Sequence, residues 1–467
     1  MTALGPAVPV HDPPTPPLDE CVDYVRSLDK PTAADVLARA QAAGRPAVQP
    51  RCGVGDHEAM RRLLLTLERR AAPDLLTLTI DAHTRLNRFE QAARLLRSDP
   101  AELNGYPLVA HGWRRARRLN EAVAAPLQIR HGSPDPRRLF EVAIAAGVTS
   151  FEGGGISYNL PYSKDVPLER SLEAWAAVDR RCGELADRGV TVDRELFGTL
   201  TAVLVPPSIS LAVSVLEAVL ASARGVRCLS IAYPQGGHLE QDVAALRAIP
   251  VLASRYLPAG VRVHAVLHQF MGVFPRLRPH AEDLILYGAV IARLGGASKV
   301  VTKTYQEAMG IPDAEANAAG LRLAARARSP ILDLLRADEE RVRRELDWTL
   351  DEVAALVEPL LEAPSLPRAI VGAFAEGRLD IPFSASRHAR SDVVPARDDE
   401  GAIRYLSPGA LPLRAADVRR NRERVDRRRH RGSLFDRLTE DIDYFPRLFG
   451  EHEGAAAVPN PTSGIAI

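Results

Sequence analysis

The sequence predicts an α/β barrel of parallel strands, and three observations carry that expectation. Between Ala47 and Arg328 short apolar runs alternate with longer stretches of helical period, the signature of βαβ units around a parallel sheet. Polar residues keep to one end of successive strand candidates: Arg51, Asp81, His111, Arg130, Glu152 and Lys303 all stand at or near a C-terminal end. In a barrel those ends converge on one face, where active sites form. Finally, no glycine-rich turn of the dinucleotide-binding kind follows the first strand, which disfavours the competing open, doubly wound sheet. The expected fold is a (β/α)8 TIM barrel with an N-terminal arm and a smaller C-terminal α+β extension.

Residues 1–46 read as the arm and a helix. Its start, "MTALGPAVPVHDPPTPP", is rich in proline and has neither the basic opening nor the apolar stretch of a signal peptide. Residues 47–328 hold the barrel. Its strand candidates are, in order, "AVQPR", "LLTLTID", "PLVAH", "PLQIRH", "TSFEGG", "LTAVLV", "VRCLSIAY", "VRVHAVLH" and "SKVVTKT". That is one more than a barrel needs, so one is expected to be a loop or an added strand. Helical patterns such as "EAMRRLLLTLERRAA", "DPRRLFEVAIAAG" and "QDVAALRAIPVLASRYL" lie between them.

Residues 329–467 form the extension. "DLLRADEERVRRELDWTLDEVAALVEPLLEA" reads as two charged amphipathic helices, and "VVPARDDEGAIRYLSPGALPL" as a hairpin turning at Asp398 to Gly401. "RAADVRRNRERVDRRRHRG" is strongly basic, which fits a solvated helix face or, functionally, an anionic partner or subunit interface. The final "GAAAVPNPTSGIAI" is expected to be disordered.

Composition narrows the function classes. The 467 residues are 46% hydrophobic and 25% charged, enough for a sizeable core. Sixty basic residues balance 59 acidic ones, which argues against nucleic acid as a partner. No apolar run reaches membrane-spanning length, since "ISLAVSVLEAVLAS" is broken by Glu217. Cys21, Cys52, Cys182 and Cys228 are scattered without metal-like spacing, as in a reducing, cytoplasmic setting. Almost every basic residue is arginine, leaving Lys30, Lys164, Lys299 and Lys303 as the lysines. Because the two side chains differ in shape and hydration, a surviving lysine carries information.

Two groups of residues carry chemistry. In "TSFEGGGISYNLPYSKDVPLE", Thr149 to Glu169, the three glycines could cradle a phosphate. Such loops lead straight into a helix, however, and here "ISYNLPYSK" with Pro161 intervenes. Close approach of the backbone to a ligand is the better reading. It places Glu152 at the barrel mouth, unless Glu152 is a salt-bridged structural residue. The second group is Arg51, Arg85 and Arg130, at or after the ends of different strand candidates. Three guanidinium groups facing one pocket suit a substrate with two carboxylates, although an arginine-rich chain also places some there by chance.

"TLTIDAHTRLNRFE", "LNGYPLVAHG", "QIRHGSPD", "TSFEGGGISYNLPYSK", "LVPPSIS", "HQFMGVFP" and "KTYQEAMGIPDAEANAAGL" resemble the catalytic (epsilon) subunits of glutamate mutase, or methylaspartate mutase. The resemblance runs in order from Arg51 to Leu321 and continues, weaker, through "IPFSASRHARSDVVPARDDEGAIRYL". It implies reversible isomerisation of L-glutamate to threo-3-methyl-L-aspartate by an adenosylcobalamin-initiated radical mechanism. A relative acting on another small dicarboxylic acid is the alternative. The family's arginine claw falls on Arg51, Arg85 and Arg130, with Gly53 and His131 beside it. Its carboxylate for the substrate ammonium, also a transient proton acceptor, falls on Glu152, and its substrate tyrosines on Tyr158 and Tyr162. Its contacts to adenosylcobalamin fall on Asn104, Pro161, Phe274, Lys303, Glu307 and Ile311, with Lys303 and Glu307 at the ribose. Lys164 has no counterpart role.

Cobalamin-binding subunits of this class carry Asp-x-His-x-x-Gly, whose histidine ligates cobalt. The nearest segment here, "DAHTRL" around His83, ends in leucine. The resemblance therefore implies no metal ligand in this chain. It implies a separate small cobalamin-binding (sigma) subunit that carries the histidine, and a homodimer of this chain within a heterotetramer.

Overall fold

In the computed structural model, which describes residues 14–428 and 432–451, eight parallel strands form one sheet. They are β1 (Ala47–Gln49), β2 (Leu76–Thr79), β3 (Leu127–Arg130), β4 (Ser150–Glu152), β5 (Asp193–Leu196), β6 (Cys228–Pro234), β7 (Arg262–His268) and β8 (Lys299–Val301). The order β1-β8-β7-β6-β5-β4-β3-β2 curls the sheet back on itself. Its seam between β1 and β2 is bridged by flanking hydrogen bonds, Thr79 N–H to the Cys52 carbonyl at 2.9 Å and Thr77 Oγ1 to the Pro50 carbonyl at 2.6 Å. The chain is thus a nearly closed parallel barrel wrapped in helices.

Seven of the nine strand candidates contain strands, and two do not. "PLVAH" contains a short helix, Leu108–His111. "LTAVLV" is a loop in which Leu200, Ala202 and Leu204 have φ of 46°, 63° and 47°, a conformation that non-glycine residues adopt in turns rather than strands. The fifth strand is instead "DREL". Its residues Asp193, Arg194 and Glu195 are charged, and all three are 0% exposed. Apolar patterning misses such a strand because it assigns charge to the surface.

The barrel interior explains how those charges are tolerated. Gln49 Nε2 donates to Gln128 Oε1 at 2.6 Å, Gln128 Nε2 to Ser150 Oγ at 2.8 Å, and Ser150 Oγ to Asp193 Oδ2 at 2.8 Å. Ser230 Oγ completes the belt on Asp193 Oδ1 at 2.7 Å. Both Asp193 oxygens are bonded in this way, so burial does not leave its carboxylate unsatisfied. On the outer face Arg194 donates to Asp179 and to the carbonyls of Phe151 and Gly153, at 2.9, 2.7 and 3.0 Å.

Two helices, Leu18–Ser27 and Ala33–Ala42, precede the barrel. Between them Lys30 donates to the Asn120, Val123 and Ala125 carbonyls at 2.7–3.1 Å, tying this segment to the N-terminal end of β3. After the barrel, the expected helix pair is a single 23-residue helix, Glu339–Leu361. It packs on both Pro207–Ser222 and Leu239–Tyr256. Pro207–Ser222 is thus packed between this helix and strands β5 and β6, which is why "ISLAVSVLEAVLAS" is apolar nearly all round.

The hairpin β9 (Val394–Arg397) and β10 (Ile403–Ser407) turns where expected, with Gly401 N–H on the Asp398 carbonyl at 3.2 Å. The basic stretch contributes the helix Ala415–Arg427, whose Arg420 and Arg424 pair with Glu352 and Glu400 at 2.7 and 3.2 Å. These arginines serve the chain's own acidic groups. The N-terminal residues 1–13, residues 429–431 and the tail expected to be disordered lie outside the described residues. No described helix is long and apolar enough to cross a membrane.

Candidate active site

The last residues of β3 and β4, Arg130 and Glu152, meet at the C-terminal rim of the barrel. Arg130 Nη1 lies 2.7 Å from Glu152 Oε1, and the Tyr158 hydroxyl donates to Glu152 Oε2. Both partners are buried, at 4% and 0% exposure. Arg51 follows β1, and Arg85 ends the short helix Ala82–Arg85 after β2. Each is partly buried, yet neither side chain hydrogen-bonds or ion-pairs with another described residue. Their charges still act at the site. Arg51 faces Glu152, Tyr162, His268, Lys303 and Glu307, and Arg85 faces His131 and Tyr162.

Asp81 and His111 have local jobs. Asp81 Oδ1 caps the short helix by accepting from His83 and Thr84 N–H at 2.9 and 3.0 Å. His111 is not at a strand end: it lies on the helix Leu108–His111 and donates from Nε2 to the Gly55 carbonyl at 2.8 Å. It stacks on Tyr106 with 4.5 Å between ring centroids.

The packing around the triple glycine requires each of the three residues. A Cβ on Gly153, whose φ is +116°, would stand 2.2 Å from the Tyr158 ring. One on Gly154 would stand 2.2 Å from the Glu217 carboxylate, and one on Gly155 2.9 Å from Leu172. The loop is therefore glycine-rich so that it can close on the protein's own side chains. Glu217, from the helix Pro207–Ser222, accepts the N–H groups of Ile156 and Ser157, both at 2.8 Å, and so fixes the turn.

That turn delivers Tyr158 and Tyr162 edge-on to each other at 5.9 Å. His131 lies against Tyr158 at 4.9 Å and stacks on Trp175 with 9° between the planes. Its Nδ1 accepts from Ser133 N–H at 3.0 Å, which puts the proton on Nε2, and Nε2 has no aligned hydrogen bond although the Glu152 backbone is near. Burial and nearby arginines push His131 well below its ordinary pKa, so it is a neutral donor. Arg130 Nη1 and Glu152 Oε1, although close, also lack an aligned hydrogen bond. Unsatisfied buried groups gathered in one place are the mark of a ligand site. Gly53 lines the same rim, where a Cβ would lie 2.4 Å from the Thr79 carbonyl oxygen.

A second cluster stands on the rim after β8. Lys303 is 6% exposed, ion-pairs with Glu307, and is pushed down to about 8 by burial, with Arg51 adding to the effect. The Phe274 ring is 6.0 Å from Lys303 Nζ. Its loop is braced by Phe445 against Phe270 at 4.7 Å and by Glu451, which accepts Arg276 N–H at 2.6 Å. Met309 and Ile311 beside this cluster are 65% and 68% exposed, unusual for apolar side chains. Pro161 is buried in the turn after β4, and Asn104 is exposed, with Oδ1 accepting Ala82 N–H at 2.9 Å.

Sequence reasoning missed Glu195, His268 and Lys299, which lie beside Arg130 and Glu152. Glu195 is hydrogen-bonded by His268 Nε2 at 2.8 Å and paired with Lys299. One signal was available, because Lys299 is among the four lysines. Potential ligand atoms of Glu152, Glu195 and His268 lie within 4.8 Å of one another, a spacing that a metal ion could use. Arg130 and Lys299 already balance both carboxylates, so the cluster is an internal ion network.

Arginines gathered round a buried carboxylate at the C-terminal rim of a parallel barrel define a barrel enzyme for a small carboxylate. Residues 29–446 match the family described as Methylaspartate mutase E chain (MutE), and the chain belongs to that family. It is 45% identical over 386 residues to a glutamate mutase epsilon subunit of Halobacterium salinarum, covering 81% of each chain. The corresponding protein of Desulfitobacterium hafniense is 40% identical over 440 residues, covering 91% of this chain and 90% of that one. That of Yersinia enterocolitica is 41% identical over 410 residues, covering 85% and 84%.

Proposed function

We propose that this rim binds L-glutamate for its isomerisation to threo-3-methyl-L-aspartate, the reaction of the methylaspartate mutase family to which the chain belongs. The observation that carries the reading is that the side chains of Arg51 and Arg85 are partly buried and unpaired among the described residues, on the same rim as the Arg130–Glu152 pair. Arg51, Arg85 and Arg130 hold the two substrate carboxylates, with Gly53 and the His131 Nε2–H beside them. Glu152 takes the ammonium and can accept a proton from it, while Tyr158 and Tyr162 wall the pocket. Gripping both carboxylates keeps the two halves of a rearranging skeleton in register. The aromatic wall of Tyr158, Tyr162 and Phe197 keeps water out.

The rim also fits adenosylcobalamin. The Lys303–Glu307 pair offers a donor and an acceptor to ribose hydroxyls, and exposed Ile311 offers apolar surface that a large ligand would cover. Asn104, Pro161 and Phe274 complete the proposed contacts. When bound, the cofactor supplies the radical chemistry, and the chain binds, orients and shields. The name epsilon subunit, carried by the relatives, belongs to a multi-subunit enzyme. The partner is a small cobalamin-binding (sigma) subunit supplying the cobalt-ligating histidine, with two copies of this chain in a heterotetramer. Leu86 stands where the cobalt-ligand motif needs glycine, and Asp81 is spent as a helix cap, which supports that division. Residues 47–328 serve as the catalytic barrel, 1–46 as the arm and 329–467 as the extension. Four free, buried cysteines support a cytoplasmic setting.

The test is glutamate turnover by the purified chain with adenosylcobalamin, with and without the small subunit. Activity is expected only with it, and turnover by the single chain would overturn the division. In the assembled enzyme Lys303→Met is expected to weaken cofactor binding while Glu152→Gln leaves it nearly intact. The reverse pattern would sink the site map.

A further inference from the structure

Glu195 is fully buried, and its side-chain contacts come from three other strands, β3, β7 and β8. Its Oε2 takes Lys299 Nζ from β8 and Gln128 Nε2 from β3, the latter at 2.8 Å. Its Oε1 takes His268 Nε2 from β7 at 2.8 Å and lies 3.5 Å from Arg130 Nη1. Gln128 cannot turn away, because its Oε1 accepts from Gln49 and its Nε2 also serves Ser150. Burial, then Arg130, pushes His268 down to about 3, so it donates to Glu195 as a neutral ring. Lys299 therefore balances Glu195, and the charge of Arg130 is left for Glu152 and for an incoming carboxylate.

We propose that Glu195, anchored by Lys299, Gln128 and His268, is a positioning residue: it holds the Arg130 fork from the neighbouring strand position and sets its own negative charge beside Glu152. The proposal rests on the glutamate-binding reading of the rim. Arg130 has carboxylates on two strands within reach and cannot collapse onto Glu152 alone, which keeps its fork available to substrate. Glu152 in turn faces Arg130, Arg51, Tyr158, His268 and Glu195, of which Glu195 is the like charge. A like charge at this range makes a carboxyl hold its proton more readily. Glu195 thereby makes Glu152 a group that can take a proton from the substrate ammonium and return it.

The experiment uses the enzyme assembled with the small subunit and adenosylcobalamin, and measures kcat and KM for glutamate across pH 5–9. Glu195→Gln keeps the shape but removes the charge, and its amide nitrogen replaces one of the two oxygens that accept from Lys299, Gln128 and His268. The acidic limb of kcat/KM is expected to move to lower pH by about one unit, the scale at which two sites titrate as a pair. KM should rise roughly tenfold, as a displaced Arg130 gives up one charged hydrogen bond to the substrate carboxylate. Glu195→Asp, which keeps the charge, should retain the wild-type limb. Should Glu195→Gln fail to assemble because it leaves Lys299 unpaired, the double variant Glu195→Gln/Lys299→Met removes both charges and is read the same way. An unmoved limb with a uniform fall in kcat would reduce Glu195 to a structural residue and overturn the proposal. Failure of the glutamate reading is distinguishable, because the wild-type assembly would then not turn glutamate over.

Discussion

Glu152 and Glu195 are register partners on adjacent parallel strands, and their carboxylates approach the same Arg130 nitrogen at 2.7 and 3.5 Å. Their proton affinities nevertheless diverge. Burial, with Glu195 next to it, pushes Glu152 up to about 7, although Arg130 and the Tyr158 hydroxyl pull the other way. Burial works against the charge of Glu195 too, but Lys299 and the His268 hydrogen bond overcome it and hold Glu195 well below its ordinary value. Two like side chains set apart by their surroundings are a recurrent way of assigning proton-transfer roles.

Glu152 predicts a pH dependence. Because its carboxylate form prevails only above about 7, kcat/KM for glutamate should rise as pH passes through that value, and Glu152→Gln should lower turnover and flatten the limb. Stability should run the opposite way. A carboxyl raised above its ordinary 4.5 contributes stability that is full below 4.5 and lost as pH rises through about 7. Melting temperatures at pH 6 and 8 should therefore differ less in Glu152→Gln than in the wild type. Equal differences would remove Glu152 as the titrating group.

Arg85 and Arg130 should respond differently to the same substitution. Arg85→Lys loses the planar fork but breaks no bond to another described residue. It should reduce kcat/KM by about tenfold or more, from the roughly 1.5–3 kcal/mol of a charged hydrogen bond, with little change in melting temperature. Arg130→Lys disturbs a pair buried beside Glu152 and Glu195 and should lower stability as well as activity. Wild-type kinetics for Arg85→Lys would exclude it from the site.

Gly154→Ala tests the loop. The new methyl would stand 2.2 Å from the Glu217 carboxylate, which is held by the Ile156 and Ser157 N–H groups and cannot swing aside without releasing them. A loss of about 1–3 kcal/mol in unfolding free energy is expected, the usual cost of overpacking. Because the same turn carries Tyr158, KM for glutamate should rise too. Unchanged stability would mean that the turn is looser than its contacts imply.

The alternation of apolar runs and helical patterns was enough to determine the parallel barrel, because strand and helix periods are local properties of the chain. Arg51, Arg130, Glu152 and Lys303 were legible for a related reason: a polar residue at the end of an apolar strand has few other places to point than the rim. Asp398 and Gly401 likewise announced their hairpin turn. Tertiary structure decided what local pattern cannot encode. Strand β5 is written in charged residues, and Asp193 and Glu195 can be buried only because Ser150, Ser230, Gln128, His268 and Lys299 arrive from other strands to bond them. The glycines after Glu152 answer to Tyr158, Glu217 and Leu172, and Glu217 stands about sixty residues further along the chain. Hydrogen bonds and charge pairs between residues distant in sequence have no period and no spacing, and the closed barrel is what brings them together.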